Sequence, residues 1–146
     1  MDYIISNGGI DTESSYPYTA TDGTCNYNAA NSGSTLSSYS NVATGDEGAL
    51  QNSVYQGPTS IAIDASQSSF QFYSSGVYSD PSCSSSQLDH GVLAVGWGHD
   101  SSSNQDYWIV KNSWGSDWGQ QGYIWMLRGS NECGVATMAT LPNGCH

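Results

Sequence analysis

The sequence predicts an α+β chain dominated by an antiparallel, barrel-like sheet. Three observations carry that expectation. Short apolar runs over residues 92–96, 107–110 and 123–127 are bounded by turn residues, as short strands are. Gly-Trp and Gly-Tyr junctions, at Gly96-Trp97 and Gly122-Tyr123, suit tight corners of a curved sheet. Helical patterning is confined to brief stretches, which leaves a sheet with few helices.

Taken in order, the chain opens on a short apolar stretch over residues 1–5, ended by Asn7-Gly8-Gly9. This reads as a helix tail with a glycine stop. It is too short to persist alone. Ser14-Ser15-Tyr16-Pro17-Tyr18 and Asp22-Gly23 supply turn chemistry to an extended surface segment. Residues 31–41 are rich in Ser and Gly, yet Tyr39 and Val42 make this a covered edge entering a strand rather than a domain boundary. Asp46 and Glu47 open a helix that carries Leu50 and Val54 four residues apart, with the acids where the helix dipole favours them. Gly57-Pro58 stops it.

Residues 60–63 form a buried strand, and residues 66–73 one or two helical turns that bring Phe70 and Tyr73 together. Residues 80–87 are a loop dominated by Ser84-Ser85-Ser86. No strained, glycine-flanked turn is present there to activate a serine, so the run is read as solvated. After the three strands already named, a last strand over 135–141 returns behind Cys133-Gly134. The sequence contains no internal repeat and no N-x-S/T glycosylation sequon.

Two blocks carry chemistry. The first runs Leu88-Asp89-His90-Gly91-Val92-Leu93-Ala94-Val95-Gly96-Trp97-Gly98. The second runs Tyr107-Trp108-Ile109-Val110-Lys111-Asn112-Ser113-Trp114-Gly115 and continues to Trp118-Gly119. His90 opens one apolar run and Asn112 closes the other. If the runs pair as antiparallel strands about the loop near Asp100 to Asp106, these two residues lie side by side. A catalytic imidazole must be held in one tautomer and one orientation by a third group. A carboxamide oxygen can accept the ring N–H without adding charge. The indoles of Trp114 and Trp118 would cover that hydrogen bond.

Asp89-His90-Gly91 followed by Lys111-Asn112-Ser113-Trp114-Gly115 resembles the papain-like cysteine proteases, most closely the cathepsin L group. The likeness extends to Asn7-Gly8-Gly9-Ile10-Asp11, Ser15-Tyr16-Pro17-Tyr18, Cys25-Asn26-Tyr27-Asn28, Gly57-Pro58, Ala62-Ile63-Asp64, Gly76-Val77-Tyr78 and Cys133-Gly134-Val135-Ala136. It implies a papain-like fold, mainly the β-rich right lobe over residues 31–146. A remnant of the helical left lobe and the crossing segment would occupy residues 1–30. It implies that His90 is the general base and Asn112 its orienter. Substrate contacts fall on Met1, Ala62, Leu88, Asp89, Gly91 and Met138, with Trp114 on the leaving-group side. The apolar lining implies a hydrophobic side chain two residues before the cut, in a pocket made shallow by Met138.

The resemblance also implies a Cys83–Cys133 disulfide, while Cys25 pairs in relatives with a cysteine of an upstream segment. Cys145 has no match, and a Cys25–Cys145 bridge stays open. The family nucleophile lies in a segment of the type C-G-S-C-W, roughly 130–150 residues before the His and Asn. That places it about 40 residues or more before Met1, so this chain is expected to carry the base and orienter, to need an N-terminal segment or companion chain for its thiol, and to be inactive alone. No targeting stretch is visible near Met1, which fits a chain that starts internally.

The same resemblance admits two other readings. One is a silicatein-like, non-proteolytic homologue, suggested by the many serines, although Asp89-His90-Gly91 is the protease form. The other is an inactive binding scaffold. Net charge is −11, and Lys111 and Arg128 are the sole permanent cations. That excludes a nucleic-acid partner and an anionic membrane surface, because no patch could neutralise phosphates. No cofactor is implied. Without a C-x-x-C pair a zinc or other metal site is not expected either. Cysteine usage points to an oxidising compartment, and acidity to a lysosomal, vacuolar or extracellular setting. The expected partner is a peptide or protein substrate.

Overall fold

The computed structural model describes all residues 1–146. It divides into two compact units, residues 1–40 with 142–146 and residues 41–141.

The smaller unit opens with helix α1 (Asp2–Asn7). Gly8, at φ 80°, adopts the left-handed conformation that ends it, and the Gly8 and Gly9 amides both donate to the Ile4 carbonyl. β1 (Ile10–Asp11) pairs with β2 (Ser32–Ser34), so the Ser- and Gly-rich stretch contributes a separate short strand before β3 (Ser38–Asn41). The Thr35 and His146 backbones exchange two hydrogen bonds, at 3.0 and 3.3 Å. None of the chain's buried apolar side chains falls in this unit, and Tyr3, Ile10 and Tyr18 are 54%, 47% and 85% exposed. Its conformation therefore rests on hydrogen bonds rather than on a core.

In the larger unit, α2 (Glu47–Gln56) is capped by the Asp46 carboxylate, which accepts from the Ala49 amide at 2.8 Å. Leu50 and Val54 face inward as their spacing predicts. β4 (Thr59–Ile63) alternates buried and half-buried side chains. α3 (Ser68–Gln71) is a single turn. Phe70 and Tyr73 converge on the same two rings, Tyr78 and Trp118. β5 (Val77–Tyr78) follows, then the long strands β6 (His90–Asp100) and β7 (Gln105–Lys111), β8 (Tyr123–Leu127) and β9 (Met138–Asn143).

The strand order is β9-β4-β6-β7-β8-β5. Every pairing in this run is antiparallel except β5 with β8, which is parallel. β6 and β7 are longer than the apolar runs suggest, because ladder bonds continue through polar residues to Asp100 and Gln105. Val95 is an extra residue between the paired positions Ala94 and Gly96. The bulge explains why Val92, Ala94 and Trp97 can all turn toward the core despite their uneven spacing.

The final strand starts at Met138 rather than at residue 135. Asn131 and Cys133 have positive φ, and the amides of Val135, Ala136 and Thr137 bond to Glu132, Asn131 and Gly134 within a compact turn. Those donors are unavailable to a ladder. Gly134 sits at φ 80° against Leu88 and the Ser85 carbonyl, where a side chain would collide. The core lies between α2 and the sheet, with Leu50, Ile63, Phe70, Trp108, Val110, Ile124 and Met126 fully buried. Glu47 ties it together by accepting from Trp108 Nε1 at 2.8 Å and the Gly129 amide at 2.7 Å.

Candidate active site

His90 begins β6, opposite Ile63 at the end of β4. Its neighbour Asp89 donates its amide to the Ile63 carbonyl at 3.0 Å and accepts from the Ala65 amide at 2.8 Å. Asn112 follows β7, where its amide donates to the Gly122 carbonyl at 2.9 Å. The hairpin therefore delivers both residues to one end of the sheet. His90 Nε2 lies 2.9 Å from Asn112 Oδ1.

That geometry fixes a proton. The Ser113 amide, which can only donate, lies 2.7 Å from the same Asn112 oxygen. The atom must be the carboxamide oxygen, because an NH₂ there would oppose an N–H. His90 Nε2 therefore carries hydrogen and donates. In the neutral ring, Nδ1 is left as the lone-pair nitrogen. Asn112 is 7% exposed, and its Nδ2 is buried without a partner. The amide thus leaves one donor unsatisfied while serving two others through its oxygen.

The imidazole is covered on one side by Trp114, with ring centroids 5.2 Å apart and planes inclined by 32°. Trp118 packs edge-on against Trp114 at 5.2 Å and rests on Phe70 and Tyr73. Its Nε1 donates to the Gln71 carbonyl at 2.9 Å, tying α3 to this aromatic cluster. Trp114 remains 42% exposed, so the cover is a rim rather than a lid.

An open cavity of about 430 Å³ adjoins His90, lined by Ala65, Ser66, Gln71, Asp89 and Trp114. A second, of about 310 Å³, is bounded by Ser60, Gly91, Lys111 and Asn112. Ala62 pairs with Gly91 on one side and Met138 on the other, so three of the expected substrate contacts are neighbours across β6, β4 and β9. Met138 is 64% exposed. Leu88 packs over Gly134. Met1 belongs to the smaller unit, where it is the N-cap of α1. Ala65, Ser66 and Gln71 are absent from the sequence expectations. They reach the imidazole from a turn and a one-turn helix about 20 residues upstream of it, a distance over which no local pattern operates.

Cys83 and Cys133 form a disulfide. It braces the wall beside His90: Asp64 donates its amide to the Cys133 carbonyl at 2.9 Å, and its buried carboxylate accepts from the Ser84 amide at 2.7 Å. The Ser66 hydroxyl, 2.6 Å away, is the main cause that holds the Asp64 carboxyl below the usual carboxylate range. Cys25 and Cys145 are free, exposed and in the smaller unit. The Tyr3 hydroxyl bonds to Cys25 Sγ at 3.0 Å, which lowers the thiol and raises Tyr3 to about 12. The larger unit thus holds no free thiol. A cavity of about 480 Å³ in the smaller unit is lined by Tyr3, Tyr16, Tyr27 and Cys25, with no imidazole.

Residues 1–143 match the family model described as papain family cysteine protease. The chain is 55% identical over 143 residues to digestive cysteine proteinase 2 of Homarus americanus, covering 97% of this chain and 44% of that protein. It is 58% identical over 141 residues to a cathepsin L-like peptidase of Aedes aegypti, covering 96% of this chain and 42% of that one. Among solved structures it resembles digestive procathepsin L 3 of Tenebrio molitor larval midgut. The TM-score there is 0.89 and the identity 46%, over 97% of this chain and 46% of that chain. The chain thus spans less than half the length of these relatives.

Proposed function

The chain belongs to the papain family of cysteine proteases, and from that membership we propose that it supplies the base and orienter of a cathepsin L-like endopeptidase whose nucleophilic thiol comes from other polypeptide. The observation that carries this reading is the shared Asn112 oxygen. It commits His90 Nε2 to donating and leaves Nδ1 to take a proton. No free thiol of the larger unit is available to give one. The exposed apolar side chains of the smaller unit support a covering partner for it.

In the proposed reaction, a cysteine presented to His90 transfers its proton to Nδ1, giving a thiolate–imidazolium pair. Asn112 steadies the imidazolium by accepting from Nε2 throughout. The thiolate attacks the peptide carbonyl, forming the C–S bond. The imidazolium then protonates the departing amine as the C–N bond breaks. Water hydrolyses the acyl-enzyme, with His90 taking its proton and returning one to sulfur. Ala62, Leu88, Gly91 and Met138 would receive an apolar side chain two residues before the cut. Trp114 and Asp89 would flank the leaving side. The proteinase names of the relatives favour this reading over a silicatein-like one. The disulfide suits an oxidising compartment, lysosomal, vacuolar or extracellular.

The test compares the purified 146-residue chain with native material that retains any companion polypeptide, using a fluorogenic peptide. Turnover is expected only in the native material, and a thiol alkylator or His90→Ala should abolish it. Thiol-dependent turnover by the chain alone would overturn the assignment of the nucleophile to another polypeptide.

A further inference from the structure

Three carboxylates converge on the Cys83–Cys133 bridge, and none of them has a cation. Buried Glu132 turns back on its neighbour, so that its Oε1 lies 3.8 Å from Cys133 Sγ. The same oxygen accepts from the Asp80 amide at 2.6 Å. On the other sulfur, the Asp64 carbonyl oxygen lies 3.2 Å from Cys83 Sγ. The buried Asp64 carboxylate accepts from the amide of Ser84, the next residue. Asp80 opens the turn that leads to Cys83, whose amide donates to the Asp80 carbonyl at 3.0 Å. The Asp80 carboxylate is held there by the Ser69 hydroxyl and the Ser82 amide. Burial raises the Tyr78 phenol, and Asp80, Glu132 and Asp64 all add to that rise, which marks the three as sharing one locality.

Nothing positive offsets them. The chain's one ion pair joins His99 to Asp106 in the β6–β7 hairpin. Of the two permanent cations, Lys111 lines the cavity with Ser60 and Gly91, and Arg128 lies over Trp108 and donates to Gln51. The donors that satisfy the three carboxylates are neutral amides and hydroxyls.

Thiol–disulfide exchange begins when a thiolate attacks one sulfur and expels the other. Cys133 is 2% exposed and Cys83 half-buried, so the attack falls on Cys83. A bond forms between the reductant's sulfur and Cys83 Sγ. The electron pair of the broken S–S bond leaves on Cys133, whose thiolate appears beside Glu132 and then takes a proton from water. A second thiolate attacks the reductant's sulfur in the mixed disulfide, freeing Cys83 as a thiolate and releasing the oxidised reductant. The arriving and departing charges are both negative, in a field of the same sign. We propose that these carboxylates make the bridge selective among thiol reductants by charge: aminothiols, whose ammonium offsets the field, open it, and thiols that carry a carboxylate are held off.

The test uses the 146-residue chain, with Cys25 and Cys145 first blocked by N-ethylmaleimide. The probes are cysteamine, 2-mercaptoethanol and 3-mercaptopropionate. Each rate of opening is expressed per thiolate and divided by the rate with acetylated, amidated cystine, which removes intrinsic nucleophilicity. The normalised rate with cysteamine should exceed that with 3-mercaptopropionate roughly ten- to hundredfold, the size expected when a probe charge reverses sign several ångströms from a carboxylate in a partly hydrated setting. 2-Mercaptoethanol should fall between them. Glu132→Gln, which keeps an acceptor for the Asp80 amide, and Asp80→Asn should each shrink the ratio. Asp106→Asn, in the hairpin, should leave it unchanged and so separates local charge from the net −11. Acid quenching and peptide mass analysis should find the mixed disulfide on Cys83. Equal normalised rates, a ratio untouched by Glu132→Gln, an equal fall from Asp106→Asn, or a mixed disulfide on Cys133 would each overturn the proposal.

Discussion

Removing the Cys83–Cys133 bridge gives a stability change whose size follows from the chain itself. The two cysteines are 50 residues apart in sequence. Closing a loop of that length removes about 4 kcal/mol of chain entropy from the unfolded state. The double variant Cys83→Ala with Cys133→Ala should therefore lose about 4 kcal/mol, a large part of the 5–15 kcal/mol typical of a domain. In urea, with a slope of about 2 kcal/mol per molar, the midpoint should fall by about 2 M. Cys25 and Cys145 are free, so a reductant should reproduce the double variant in the parent chain and do nothing further to the variant. The loss should spread unevenly. The wall around Asp64 and Ser84 hangs on both ends of the bridge, and its amides should exchange with solvent before those of the β6–β7 hairpin. A change below about 1 kcal/mol, or uniform loss of protection across the hairpin, would refute this reasoning.

Three further outcomes follow from the same geometry. Asn112→Ala removes the acceptor of two donors and should cost about 1–3 kcal/mol, releasing His90 from the Nε2–H tautomer. Histidine ¹⁵N spectra that still show one unchanged tautomer would contradict the role given to Asn112. Trp108→Phe deletes the indole donor to Glu47 in a fully buried site and should cost about 1–3 kcal/mol by urea unfolding. A neutral result would mean that Glu47 is satisfied by the Gly129 amide alone. The buried Asp64 carboxyl is depressed in the folded state, so its stabilisation is present above the unfolded value near 3.9 and lost as pH falls through the folded value. Asp64→Ala should then cost the same at about pH 7 and pH 5, and less at about pH 3. A cost that grows on acidification would reverse the sign argued here.

The His90–Asn112 contact was legible because a single hairpin makes two sequence-local blocks into neighbours. Strand alternation and turn chemistry sufficed to bring His90 to Asn112. The same logic found α2, whose acids, inward Leu50 and glycine stop all lie within one short stretch. It failed where several remote segments decide the outcome. β5 is two residues long and becomes a strand through its parallel partner β8. The late start of β9 depends on positive φ at Asn131 and Cys133, which residue type alone does not announce. Gln71 is tied beside the cavity by an indole-to-carbonyl bond across 47 residues, a contact invisible to any window.

The bulge at Val95 places a phase step in the middle of the hairpin. Changes in length at its tip, around residues 100–105, leave both flanks in frame, because the ladder between tip and step only extends or shortens. A single deletion between Ala94 and Gly96 is different in kind. It removes the unpaired residue, leaves Ala94 opposite Val110 and the His90 side in register, and takes away the local bend and added twist that the bulge gives β6. Such a hairpin should therefore tolerate a variable tip, and losing Val95 should flatten it without parting His90 from Asn112.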